Sequence, residues 1–139
     1  MSTPVPAGAF VLDENLSPRL AKALELLDES EGVRVRAVTE LFEAGTADDT
    51  LLAALGTAGA FLITRDTRQR KRPAELEAWV ANSAGVFVLS GKNLERWEIV
   101  RQVVASWPLI KKAAQNTTRP FAYRVHHNGG KLEPISLAR

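Results

Sequence analysis

Cysteine is absent from the 139 residues. That excludes thiol nucleophiles, disulfides and cysteine-ligated zinc, and it suits a reducing cytosol. Any metal must then be held by oxygen or imidazole ligands. Histidine is scarce, with only two, and the neighbours His126 and His127 are expected on a strand, where their side chains would point to opposite faces and could not serve one site. Gly-rich phosphate loops and the nucleophile-elbow motif are missing as well. Long apolar runs are lacking: stretches such as residues 86–89 are far too short to span a bilayer, so no membrane partner is expected. Residues 1–9 contain Pro4 and Pro6 but no basic residue, unlike a secretory signal. They are expected to form a loose lead-in to one domain over residues 10–139, in a cytoplasmic protein.

What is present is an ordinary globular composition, 45% hydrophobic and 24% charged, in a chain long enough to bury a core without staples. The net charge of +2 hides an asymmetry. Residues 1–60 carry four Lys/Arg against ten Asp/Glu, and residues 61–139 carry fourteen against six, so the halves are −6 and +8. A carboxylate-rich half beside a basic half fits a metal centre flanked by a surface for polyanions, although two mutually attracting halves of a plain fold would give the same numbers.

Short apolar runs alternate with amphipathic stretches. The run at residues 9–12 ends at Asp13, and Ser17-Pro18 supplies an N-cap and a first-turn proline. Leu20, Ala23, Leu24 and Leu27 give the following helix one apolar face. Val33 and Val35 mark a second strand, and residues 39–45 a loop. Thr46 is expected to cap a helix with Leu51, Leu52 and Leu55 on its stripe, ended by residues 56–59 before the strand Phe61-Leu62-Ile63. Pro73 opens a helix bearing Leu76, Trp79 and Val80, and residues 86–89 form a fourth strand. Asn93 is expected to cap a long helix whose face carries Trp97, Val100, Val104 and Trp107, with Pro108 kinking or restarting it. Both indoles are expected in the core. The turn Asn128-Gly129-Gly130 closes a terminal hairpin. Strands alternating with helices predict an α/β fold of three layers: a mainly parallel central sheet, helices on both faces and a C-terminal β-hairpin.

In such a sheet ligands bind beyond the carboxyl ends of the strands, and the acids converge there. Asp13 ends the first strand, Asp66 follows the third, and Asp48 lies in the first turn of the helix between the second and third. Clustered carboxylates repel one another, and a divalent cation such as Mg²⁺ or Mn²⁺ relieves that repulsion. Glu14 is either a fourth ligand or an outward neighbour, and Asp49 is read as part of a cap with Thr46. Five cations, Arg65, Arg68, Arg70, Lys71 and Arg72, surround Asp66 in the sequence and are candidates to hold a phosphodiester against the metal, the bland alternative being a solvated charged loop. A phosphoacceptor receiver domain also places acids at strand ends, with a lysine after the last core strand that Lys92 would imitate. The cations following Asp66 suit it poorly.

Three stretches carry a resemblance: Phe10-Val-Leu-Asp-Glu-Asn-Leu-Ser-Pro-Arg19, Asp48-Asp-Thr-Leu51 and Leu62-Ile-Thr-Arg-Asp66. In order and spacing they resemble the motifs of compact PIN-like domains, the group related to VapC-type toxins of toxin–antitoxin systems. Arg72-Pro-Ala-Glu75, Val86-Phe-Val-Leu89, Gly91-Lys-Asn-Leu94 and Trp107-Pro108 are similar to one VapC-like subfamily. The resemblance implies a Mg²⁺- or Mn²⁺-dependent endoribonuclease with catalytic Asp13, Asp48 and Asp66, an RNA substrate, a cognate antitoxin that blocks the site, and homodimers as a common state. Larger PIN domains carry a further acid, usually Glu, between the first two motifs. Here Glu14, Glu40 or Glu43 would have to substitute, and the alternative is a catalytically degenerate module that only binds RNA or protein.

Overall fold

The computed structural model describes residues 3–65 and 73–137. Six strands form one sheet in the order β2-β1-β3-β4-β5-β6. They are β1 (Phe10–Leu12), β2 (Val35–Ala37), β3 (Phe61–Arg65), β4 (Gly85–Leu89), β5 (Phe121–Val125) and β6 (Leu132–Pro134). The first five are mutually parallel, and β6 returns antiparallel to β5 as the expected hairpin. Helices α1 (Pro18–Leu27), α2 (Val38–Leu41), α3 (Asp48–Ala58), α4 (Pro73–Ala81) and α5 (Arg96–Asn116) supply the crossovers.

Alternation along the strands divides the core in two. Phe10, Leu12, Ile63, Phe87, Leu89 and Val125 meet α1 and α5 on one face. Val11, Leu62, Val86 and Val88 meet α2, α3 and α4 on the other. β4 is buried along its whole length, as a strand covered on both sides must be.

Local signals were strongest where a side chain or glycine fixes a terminus. The Ser17 hydroxyl accepts the Arg19 N–H, with Pro18 opening α1, and Gly59, at φ +64°, ends α3. Other expectations are corrected. Residues 39–45 are not wholly loop, since α2 occupies the first part, with the Glu40 carboxylate accepting the Ala37 N–H at 3.0 Å. Ala47, not Thr46, precedes α3. The Thr46 hydroxyl instead donates backward to the Glu43 carbonyl, so Asp49 makes no cap with it. α5 is capped by Glu95 with Glu98, not by Asn93, and runs through Pro108 without ending. Buried positions of α1 are Leu20, Ala21 and Leu24, while Leu27 is exposed. The described part of the lead-in is tied down rather than loose: Thr3 N–H donates to Leu41, Gly8 N–H donates to Ala58, and Val5 packs on the core.

On the first face the C-terminal end of α1 is joined to the second half of α5 by Asp28, which accepts from the Trp107 indole at 2.6 Å and from Lys111 at 2.8 Å. The hydrogen bond from Lys111 holds the Asp28 carboxyl below the ordinary carboxylate range, and Asp28 in turn raises Lys111. On the second face α3 and α4 approach closely at Gly56, where an added Cβ would lie 2.4 Å from the Asn82 carbonyl oxygen. Replacing a helical glycine by alanine ordinarily gains about 1 kcal/mol. A backbone carbonyl cannot swing aside, and forced overpacking costs about 1–3 kcal/mol. Gly56→Ala is therefore expected to lower stability by up to about 2 kcal/mol in urea denaturation; a stabilised variant would contradict this packing.

Candidate active site

The order β2-β1-β3 means that the chain leaves β1 to one side and later returns to its other side. The switch point lies between β1 and β3, and the crevice beyond their carboxyl ends is where such sheets bind ligands. Asp13 follows β1 there, its N–H donating to the Ile63 carbonyl at 2.9 Å. Its side chain is held from two directions. Oδ1 accepts the Glu14 N–H at 2.8 Å, and Oδ2 accepts the Thr64 hydroxyl at 2.7 Å. Thr64 is one of only three buried polar or charged side chains among the described residues, on the β3 pleat facing α3 and α4. Each carboxylate oxygen keeps a free lone pair for a cation, and the carboxylate borders the open crevice.

Asp13 and Asp48 line two adjoining clefts. The larger, about 440 Å³, lies between α3 and α4 and also receives Asp49 and Glu75. The smaller, about 220 Å³, lies against α2 and its following loop and also receives Glu14 and Glu43. Asp48 and Asp49 both occupy the first turn of α3, where the helix dipole favours negative charge. Of these two, Asp48 lines both clefts and Asp49 only the larger. Of the candidates to replace the absent Glu, Glu14 and Glu43 border the smaller cleft, whereas Glu40 is occupied as a cap. Asp66, Arg68, Arg70, Lys71 and Arg72 lie outside the described residues. Arg65 is the last residue of β3, paired in register with Leu89. By strand alternation it is on the face opposite to Thr64 and Asp13, so it does not share their crevice.

Glu75, in the first turn of α4, escaped the sequence-based reading. The rule that located Asp48, that a helix following a parallel strand begins at the carboxyl edge, applies equally to the helix after β3. Among the described residues no three His, Cys, Asp or Glu side chains are grouped as a metal site. The paired hard oxygen donors of Asp13 and Asp48 nevertheless suit a hard divalent cation in kind, with Asp66 next in sequence to β3.

The histidines are corrected in one respect. They follow β5 rather than lie on it, their ring centroids are 4.2 Å apart, and His126 Nδ1 accepts the Asn128 N–H within the hairpin turn. They belong to the β5 end, two strands away from β3. Lys92 follows β4, while the last parallel strand is β5, so it lacks the place a receiver-domain lysine requires.

A family model described as a PIN like domain matches residues 9–91. That stretch spans more than half of the chain, from the residue before β1 to just beyond β4. The chain belongs to the PIN-like domain family. Comparison with curated proteins and with solved structures gives no match. Family membership supports a nuclease-type, hydrolytic function in general, and the matched stretch contains Asp13, Asp48, Thr64 and Asp66. The matched stretch ends before α5 and the hairpin.

Thr64 has a testable part in this geometry. Thr64→Val keeps the buried volume but removes the donor that orients Asp13. Loss of such an outer partner typically costs about 10–100-fold in metal affinity or activity. Divalent-cation affinity and any cleavage activity are expected to fall by that factor with the melting temperature nearly unchanged. An unaltered cation affinity would mean that Thr64 merely fills space.

Proposed function

We propose that the chain is a metal-dependent endoribonuclease acting as the toxin of a type II toxin–antitoxin pair, with Asp13, Asp48 and Asp66 as its catalytic carboxylates. The observation that carries this is the meeting of Asp13 and Asp48 at the switch-point crevice of a PIN-like fold, Asp13 being oriented by Thr64. Asp13, Asp48 and Asp66 would hold Mg²⁺ or Mn²⁺, with Glu14 beside them. When bound, such an ion stabilises charge on the phosphodiester and lowers the pKa of a water. The Thr64 hydroxyl and the Glu14 N–H keep the Asp13 carboxylate turned toward the cleft. Asp48 faces it across the crevice from the start of α3. Arg68, Arg70, Lys71 and Arg72 follow Asp66 in sequence and would hold flanking phosphates.

The antitoxin and a homodimer are the partners this reading expects, from the resemblance of the motifs to VapC-like proteins. A cytoplasmic setting agrees with the lack of cysteine, and no helix among the described residues is long and apolar enough to cross a membrane. The test is purified protein with several structured RNAs and Mn²⁺. Wild type should cleave and Asp66→Asn should not; equal cleavage by both would remove Asp66 from the mechanism. A degenerate, binding-only module is the competing reading, motivated by the short region between the first two motifs, where larger PIN domains carry a further Glu. It predicts RNA or protein binding without a Mn²⁺ requirement.

The basic run has its own expected effect. Replacing Arg68, Arg70 and Arg72 with Gln should weaken RNA binding and flatten its log–log salt dependence by about two units, at roughly 0.7 per phosphate on a single strand. Cation binding should hardly change. Wild-type affinity and slope in the triple variant would mean that these arginines are merely solvated.

A further inference from the structure

Trp97 was expected in the core and is 76% exposed, whereas Trp79 and Trp107 are 5% and 7% exposed. It stands in the first turn of α5, a helix that begins at the carboxyl edge of the sheet. A groove of about 300 Å³ between α1 and α5 is lined by Asn15, Leu20, Arg96 and Val100 among others, and Trp97 follows Arg96 at its α5 rim without lining it. Asn15 is two residues beyond Asp13, so the groove opens at the same edge as the carboxylates, on the opposite face of the sheet. Arg65 ends β3 on that face. Arg101 and the exposed Val104 continue the Trp97 side of α5 at helical spacing, and Lys92 lies in the loop before the helix.

Around the exposed indole Arg96, Arg101 and Lys92 outnumber Glu95 and Glu98, whose carboxylates are turned back into the cap of α5, so the face keeps a net positive charge, and a second copy would set like charge against like across a two-fold axis. The face suits a polyanion with stackable rings. Base–aromatic stacking is sequence-tolerant, and phosphate contacts from arginine add to it. Resting on the nuclease reading above, we infer that single-stranded RNA leaving the carboxylate crevice crosses the end of β1 past Asn15 and enters the α1/α5 groove, one base stacking on Trp97 and phosphates lying against Arg96 and Arg101.

The placement supplies its own reporter, because Trp97 is the one well-exposed indole of three. A short unstructured RNA oligonucleotide is titrated into wild type, Trp97→Phe, Trp97→Ala and Asp13→Asn, in EDTA to prevent cleavage. Wild type and Asp13→Asn should show saturable quenching of tryptophan fluorescence, and an RNA duplex should quench much less. By anisotropy, Trp97→Ala should bind about tenfold more weakly, within the 1–3 kcal/mol that stacking contributes per base, while Trp97→Phe retains most of the affinity. Arg96→Gln should flatten the salt slope by about 0.7.

RNA binding without quenching, with Trp97→Ala as tight as wild type, overturns the inference, as does a complete failure to bind RNA. Emission that instead follows protein concentration without RNA, with Trp97→Ala abolishing a dimer in light scattering, assigns the face to a second copy and overturns it too. If wild type cleaves RNA with Mn²⁺ but Trp97→Ala leaves KM unchanged, this groove is wrong while the nuclease reading stands. Stacking and quenching in a protein that never cleaves would leave the groove and remove the nuclease.

Discussion

Asp13→Asn is expected to reduce RNA cleavage by about 10³-fold or more while leaving the fold intact. The amide oxygen can still accept from Thr64 or from the Glu14 N–H, so the local hydrogen bonds that fix the side chain largely survive. What disappears is the negative charge that a divalent cation needs, and with it the stabilisation of charge developing on the phosphodiester. Losing one preorganised electrostatic partner commonly costs about 10²–10³ in rate, and here the loss extends to the cation itself. RNA affinity should stay the same or rise, because one negative charge facing the polyanion is gone. Single-turnover cleavage and anisotropy on the same preparations check both halves. An active Asp13→Asn enzyme would remove Asp13 from the chemistry.

Phe87→Ala is expected to cost about 3–5 kcal/mol. Phe87 lies on the central strand β4, is fully buried, and meets Phe121 edge-on at 5.6 Å and Tyr123 in a stacked pair at 6.0 Å. Its neighbours are held by the sheet and by α5, so the cavity cannot close easily. Against a total stability of about 5–15 kcal/mol, a loss of this size should lower the melting temperature by roughly 10–20 °C. A shift of only a few degrees would mean that the aromatic cluster repacks around the gap.

The sheet and the shared clefts of Asp13 and Asp48 were legible because both depend on patterns that topology enforces, while Asp66 lies outside the described residues. Buried parallel strands read as continuous apolar runs, and every strand end and following helix start falls on one edge. Asp13 and Asp48 could be brought together on that rule alone, and Glu75 would have been found by applying it once more. Helix faces were less legible. On α5 the apolar residues Trp97, Val100, Val104 and Trp107 form a proper stripe, yet the buried side is set by Gln102, Val103, Ser106, Trp107 and Ile110. Two polar residues occupy core positions because they meet backbone groups that sheet pairing leaves over. Gln102 donates to the Ser90 carbonyl at 2.8 Å, and the Ser106 hydroxyl accepts the Gly130 N–H at 3.0 Å. Hydrophobicity alone therefore rotates the helix the wrong way and hides Trp97 in the core. Caps failed for a related reason: Thr46 and Asn93 are good capping residue types, but Thr46 donates backward into its own loop and Asn93 adopts φ +55°. The histidine pair was misplaced by one fact, that β5 stops at Val125.

The most direct measurement of the central claim is a calorimetric titration of Mn²⁺ into wild type and the Asp13→Asn/Asp48→Asn double variant, up to millimolar concentration and without RNA. The two carboxylates of the switch-point crevice are predicted to give wild type a saturable heat that the folded double variant lacks. Equal heats from both proteins, or no heat from wild type, would contradict a cation site built on Asp13 and Asp48.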